Sequence, residues 1–247
     1  MAGSQAVAEV RRLSTLAEFS EAVSLQQQVW GFADSELLPL RFFVVADRVG
    51  GHVLGAYHGE RMVGFCMAVP GLKPDNRPFL HSHMLGVLPE CRDAGVGRRL
   101  KLRQRVDALA RGLDLVEWTF DPLEMKNAFF NLERLGAIVR RYSENEYGST
   151  ASPLHGGLPT DRCIAEWRIG GPRVEAILAG EAVERRVAER ISVPASISRL
   201  RREDPAAARE VQRANAERFH SCFARGLAAT GFERSEAGGA YLLEPWP

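Results

Sequence analysis

Cysteine is scarce. The 247 residues hold four, Cys66, Cys91, Cys163 and Cys222, with no Cys-x-x-Cys spacing among them. That argues against a disulfide framework and against a structural zinc site, so no metal is expected. An excess of one charge is also missing: 32 Lys and Arg stand against 31 Asp and Glu, a formal net charge of +1. This balance gives no general electrostatic case for nucleic acid or for an anionic membrane as partner. Long apolar runs are absent. The longest, near Phe42-Phe43-Val44-Val45-Ala46, is far too short to span a bilayer. No basic segment followed by an apolar core opens the sequence, so no signal peptide is expected and the cytoplasm is the default compartment. There is no internal repeat. What remains is an ordinary globular composition, 45% hydrophobic and 26% charged, long enough to bury a large core in one or two domains.

The most telling stretch runs from Leu80 to Arg103. Its centre reads Leu85-Gly86-Val87-Leu88-Pro89-Glu90-Cys91-Arg92-Asp93-Ala94-Gly95-Val96-Gly97. An apolar strand enters a Gly-containing turn, and a basic, helix-prone segment begins at Arg98. Backbone amides at such a turn form an anion-binding concavity, and the following helix adds unpaired N–H groups and the positive end of its dipole. Two familiar phosphate motifs are excluded. No Gly-x-x-x-x-Gly-Lys-Ser/Thr occurs, and the third Gly of a dinucleotide fingerprint is replaced by Leu100. The helix over 98–111 carries Arg98, Arg99, Lys101, Arg103, Arg105 and Arg111. Arg98 and Arg99 fall in its first turn, where positive charge opposes the dipole unless an anion docks. From Lys101 onward the charges read as a solvated face. No aromatic residues interleave with them, which speaks against nucleic acid.

Around this stretch, Val53–Tyr57 and Met62–Val69 read as a hairpin across His58-Gly59-Glu60-Arg61. Pro70, Pro74 and Pro78 mark an exposed loop. Leu113–Phe120 reads as a buried strand, Met125–Leu135 as a helix that Gly136 ends, and Ala137 begins another strand. A boundary falls near Gly170-Gly171-Pro172. Beyond it, residues 183–193 suit a strand. Pro205 to about Ala228 suits a helix with Asp204 as N-cap and Gly231 as its stop, and Tyr241–Leu243 suits a last strand.

Arg92-x-x-Gly95-x-Gly97, preceded by Val87-x-Pro89-Glu90, resembles the acyl-CoA-binding motif of the GNAT N-acyltransferase superfamily. The order of elements over residues 8–170 is similar to the whole GNAT core. Asn127-Ala128-Phe129-Phe130-Asn131-Leu132 and Asn145-Glu146-Tyr147-Gly148 resemble one bacterial subgroup. The resemblance implies an α/β fold, a mixed central sheet flanked by helices over 1–170, with 171–247 as an α/β extension packed on it. It implies transfer of an acyl group from acyl-CoA to a primary amine of a small molecule or amino acid. Acetyl-CoA is the default donor. Succinyl-CoA is the alternative, because proteins like this subgroup are linked to N-succinylation of amino acids. A homodimer stays open, as does a non-catalytic acyl-CoA-binding or regulatory module.

The same resemblance assigns residues. Arg92, Ala94, Gly95, Val96, Gly97 and Arg98 fall to the pyrophosphate, the backbone at Leu85 and Val87 to the thioester end, and Asn127 to the pantetheine arm. Attack on a thioester needs a neutral amine, hence a base. In GNAT enzymes the base commonly lies six residues before the position of Val87, which is His81; the family usually has Glu there. Strand alternation puts His81, His83, Leu85 and Val87 on one face, so His83 is the second choice and Glu117 the third; Asp121 suits a cap. The family's Tyr, general acid to the thiolate, aligns with Leu132; either Tyr142 or Tyr147 substitutes, or the thiolate leaves unassisted. The acceptor is expected at loops 30–39 and 145–162.

Overall fold

The computed structural model describes residues 7–148 and 157–246. Part of the 145–162 loop, residues 149–156, lies outside the described residues. The chain forms two compact units, Met1–Val116 and Glu117–Pro247, and each is taken by itself.

In the first unit, strands β1 (Glu9–Arg12), β2 (His52–His58), β3 (Arg61–Leu72) and β4 (Pro78–Val87) pair antiparallel in that order. The helices are α1 (Leu16–Trp30), α2 (Leu40–Arg48) and α3 (Val96–Leu109). Helix α1 starts with a capping box: the Glu18 N–H donates to Thr15 Oγ1, while the Glu18 carboxylate accepts from the Thr15 N–H at 2.9 Å. Gly31 ends it at φ 66. Buried Gln26 then bonds both backbone groups of Leu38, at 2.9 and 3.1 Å, and closes the 31–39 loop. Phe65 of β3 packs against Phe43 of α2 and Trp30 of α1.

The hairpin turn falls at the expected residues, but the proline loop is shorter than predicted. Pro70 lies inside β3 opposite Leu80, and Pro78 begins β4. Proline is tolerated at strand starts and where no ladder N–H is needed. The basic helix starts at Val96, two residues before Arg98, because Gly95 at φ 80 supplies the left-handed N-cap.

In the second unit the strand order is β5 (Leu115–Phe120, which begins just before the division), β7 (Arg162–Arg168), β6 (Ile138–Ser143), β9 (Leu227–Ser235), β10 (Gly238–Pro245) and β8 (Glu189–Pro194). Helix α4 (Met125–Phe129) runs on into a π-helical turn over Phe130–Arg134, and Gly136 follows at φ 76. Helices α5 (Pro172–Ala179), α6 (Ile197–Glu203) and α7 (Pro205–Ala224) complete it. The core centres on Trp167, Phe219, Phe232 and Tyr241.

Asp204 caps α7 as expected, accepting from the Ala207 N–H at 3.0 Å. The predicted stop at Gly231 is corrected: α7 ends at Ala224, Gly226 takes φ 76, and Gly231 lies within β9. The strand expected over 183–193 is confined to Glu189–Pro194, and α6 was not anticipated.

Candidate active site

The turn after β4 is built to expose main chain. Asp93 has φ 62 and Gly95 φ 80. A Cβ on Gly95 would meet nothing within 4 Å, so this corner opens outward. Helix α3 has no side-chain N-cap, and the first bond that closes onto the helix runs from Arg99 N–H to Gly95 C=O at 3.0 Å. The N–H groups of Val96, Gly97 and Arg98 precede that bond and are the helix's orphan donors. Ala94 is exposed and Arg98 half-exposed beside them. Such an uncapped end fits an anionic diphosphate.

Arg92, exposed beside this turn, also braces it. Its guanidinium donates to the carbonyls of Val87 at 3.2 Å and Val29 at 3.0 Å. It ties the turn to the ends of β4 and α1.

Strand β4 carries a bulge. Met84 pairs with Met67 and Ser82 with Ala68, so His83 is the extra residue. The bulge overturns the expected alternation. Leu85 faces Cys66 and His81 faces Val69 across the ladder, and positions 66 and 69 point to opposite faces of β3. Leu85, Val87 and Ser82 therefore look toward α3, where a Cβ on Gly97 would sit 3.5 Å from Leu85 and 3.9 Å from Val87. His81 lies on the other face. The bulge returns His83 to it: the two imidazoles are 5.7 Å apart, and Phe42 of α2 is 6.1 Å from the His83 ring. Gly86 sits under Trp30, with 2.9 Å left for a Cβ. His83 is open at the surface, and the protein around it lowers its pKa by partial desolvation.

The candidates in the second unit are engaged. Glu117 is buried and accepts from Arg141 at 2.6 Å. Arg140 and Arg141 also grip buried Glu166; burial pushes that carboxyl up, but the two guanidinium groups hold it below the usual range. The Tyr142 hydroxyl donates to Asp161 at 2.8 Å, and burial together with that carboxylate raises its pKa. Tyr147 shares a hydrogen bond of 2.7 Å with Thr119. Asp121 accepts from the Leu123 N–H at 2.8 Å, a capping contact, and also pairs with Arg201. Asn127 is exposed on α4. Leu132 is fully buried.

One group escaped the sequence reading. Lys101, expected in solvent, is 2% exposed and donates to Ser82 at 2.8 Å and Gln104 at 3.0 Å. Burial lowers its pKa to about 8. Among the described residues no three His, Cys, Asp or Glu gather as metal ligands, and no helix is long and apolar enough to cross a membrane. The four cysteines are free and buried.

Residues 16–136 match the profile of the acetyltransferase (GNAT) family. No curated protein sequence matches the chain. Among solved structures, a GNAT-family protein from Desulfovibrio desulfuricans aligns at TM-score 0.53 and 16% identity, over 66% of this chain and 99% of its own. The ribosomal-protein-S18-alanine N-acetyltransferase of Escherichia coli aligns at 0.52 and 15%, over 74% and 99%. A Salmonella typhimurium protein solved with acetyl-CoA aligns at 0.54 and 14%, over 67% and 98%. At these identities the likeness is one of fold.

Proposed function

We propose that this chain, whose residues 16–136 are a domain of the acetyltransferase (GNAT) family, is an acyl-CoA-dependent N-acyltransferase acting on a primary amine of a small molecule or amino acid. The observation that carries the reading is the uncapped, outward-opening start of α3 behind Gly95. Amides from Ala94 to Arg98 would hold the pyrophosphate, with Arg92 bracing the turn beside them. The backbone at Leu85 and Val87 would lie along the thioester end, where N–H groups polarise a carbonyl as an oxyanion site does. Asn127 is proposed for the pantetheine arm. Acyl-CoA supplies an activated acyl group; acetyl is the proposed donor and succinyl the alternative. We take residues 1–170 as the acyltransferase core with 171–247 as its extension, and the cytoplasm as its compartment.

Acyl transfer at neutral pH requires the amine to lose a proton. His81, with His83 beside it, is the proposed acceptor, since an imidazole titrates near neutrality. Glu117 and Tyr142 are already bound to Arg141 and Asp161. They are weaker choices for base and acid. A second reading, a module that binds acyl-CoA without turnover, draws on Leu132, apolar and buried where the family's general acid aligns.

The test is thermal. A ligand at about one hundred times its Kd stabilises a fold by roughly 2.7 kcal/mol. CoA should raise the Tm of the wild type, and Gly97→Glu should abolish the rise by setting bulk and negative charge at the turn. An unshifted wild-type curve at millimolar CoA overturns the assignment. Thiol release from acetyl-CoA and succinyl-CoA over a panel of amines separates the enzyme from the binding module.

A further inference from the structure

Lys101 belongs to a buried polar chain that ties α3 to three strands. Its ammonium donates to Ser82 Oγ on β4 and to Gln104 Oε1 one turn along α3. With its oxygen so engaged, Gln104 turns its amide nitrogen to Cys66 Sγ of β3 at 3.3 Å and to His52 Nε2 of β2 at 3.1 Å. Ser82 Oγ also lies 3.7 Å from Cys66 Sγ. His52, Cys66, Ser82, Lys101 and Gln104 are all less than 5% exposed. The directions agree: an ammonium has only protons to give, so Gln104 presents oxygen to it and N–H groups to the imidazole and the sulfur. His52 therefore accepts at Nε2 and carries its proton on Nδ1. Burial keeps that ring neutral, with a pKa lowered to about 4.

This chain meets β4 at a telling place. The helix backbone at Gly97 lies so close that an added Cβ would touch Leu85 and Val87. One turn later, on the same face of the helix, Lys101 holds Ser82. Helix α3 is thus fixed to β4 at two points, and the bulged residue His83 lies between them. Ser82 itself separates His81 from His83. A bulge forfeits regular ladder bonding and re-aims the side chains around it. Here a side-chain bond from the opposite face holds the residue beside it.

We propose that Lys101 and Ser82 are positioning residues, with Gln104 orienting them, and that their bond sets the direction of His81 and His83 from the far face of β4. The inference rests on the reading of those imidazoles as proton acceptors, but its test does not require turnover. The probe is the imidazole NMR signals of the full chain labelled at histidine, assigned with His81→Gln and His83→Gln. Ser82→Ala and Lys101→Met should each shift the titration midpoint of His81 or His83 by about 0.5 pH unit or more, against a usual spread near one unit in folded proteins. The double variant should add nothing to the larger single shift. Ser82→Thr, which keeps the hydroxyl, should restore the wild-type curve. Should Ser82→Ala or Lys101→Met not fold, Ser82→Cys, nearly isosteric and a poorer acceptor, must move the same signal. Folded variants with lower Tm but unchanged imidazole titrations would show that the chain only packs the core, and would overturn the proposal. The CoA-induced Tm rise is measured on the same samples. Its absence from the wild type would refute the acyl-CoA reading while leaving the titrations to judge the positioning role.

Discussion

The two units bury polarity in opposite ways. The first buries bases, Lys101 and His52, beside Ser82, Gln104 and Cys66, and pushes both pKa values down. The second buries Glu117 and Glu166 against Arg140 and Arg141, and buries Arg201 against Asp121. At Glu166 that pairing stabilises the anion and leaves little basicity to offer. A desolvated imidazole also loses basicity, but from a starting value of about 6.5 rather than about 4.3. Glu117 of β5 is bound to Arg141 while His83 of β4 is open at the surface, which favours β4 over β5 as the source of a base.

The largest expected effect tests the second unit. Arg201 is 8% exposed and bonds Asp121 and Glu124, each at 2.7 Å. Removing one partner of a buried pair strands the other's charge, at a cost of about 3–5 kcal/mol. Arg201→Ala should therefore lower the urea midpoint sharply, and a loss below about 1 kcal/mol, the value of a surface pair, would break the comparison.

The first unit should respond instead to alkali. Lys101 has a folded pKa of about 8 against 10.5 unfolded, so between these values the unfolded chain binds more protons and stability rises with pH. The gain should approach about 3 kcal/mol from pH 8 to 10.5, at 1.36 kcal/mol per unit. Lys101→Met should lack this slope. Equal slopes in the two proteins would show that the ammonium is not buried as described.

Turnover sharpens the contrast. His81→Ala should lower the rate on the order of a hundredfold and remove the acid limb of the pH–rate profile. CoA binding should hardly change. Glu117→Gln should weaken the fold through Arg141 while largely sparing the rate. The reverse pattern would move the base to β5.

Much of this was legible because local chemistry and fold agree. Asp204 and the turn at Gly59 announce their elements, and Arg92-x-x-Gly95-x-Gly97 announces the uncapped helix. The bulge was not legible: alternation gives no sign of where a strand takes an extra residue, and that one residue moved His81 to the face opposite Leu85. Gly231 misled because glycine stops a helix only where the chain needs a left-handed turn, and Gly226 had already supplied one. Lys101 was misread by residue type alone. Its helical phase told otherwise, since Gly97, Leu100, Lys101, Gln104 and Ala108 form one stripe and the apolar members of it are buried. Arg92 shows another limit: the motif marks its position, but its bonds to Val87 and Val29 depend on where two distant chain segments end.

The smallest effect comes from a place where the first unit also sets a carboxylate against a guanidinium. Glu18 accepts from the Ser14 and Thr15 N–H groups and pairs with Arg11, and these bonds, the Ser14 amide first, lower its pKa to about 2. Its folded pKa lies below the ordinary carboxyl value. The stabilisation is therefore present above pH 4.5 and is lost as pH falls toward 2. Solvent reaches the pair, with Arg11 43% and Glu18 17% exposed, so screening leaves the cap worth about 1 kcal/mol. Glu18→Gln should cost that amount at pH 7 and almost nothing at pH 2, read as the difference between two urea midpoints at each pH. A Gln variant equally destabilised at both values would mean that the charge is irrelevant and that only the geometry of the capping box matters.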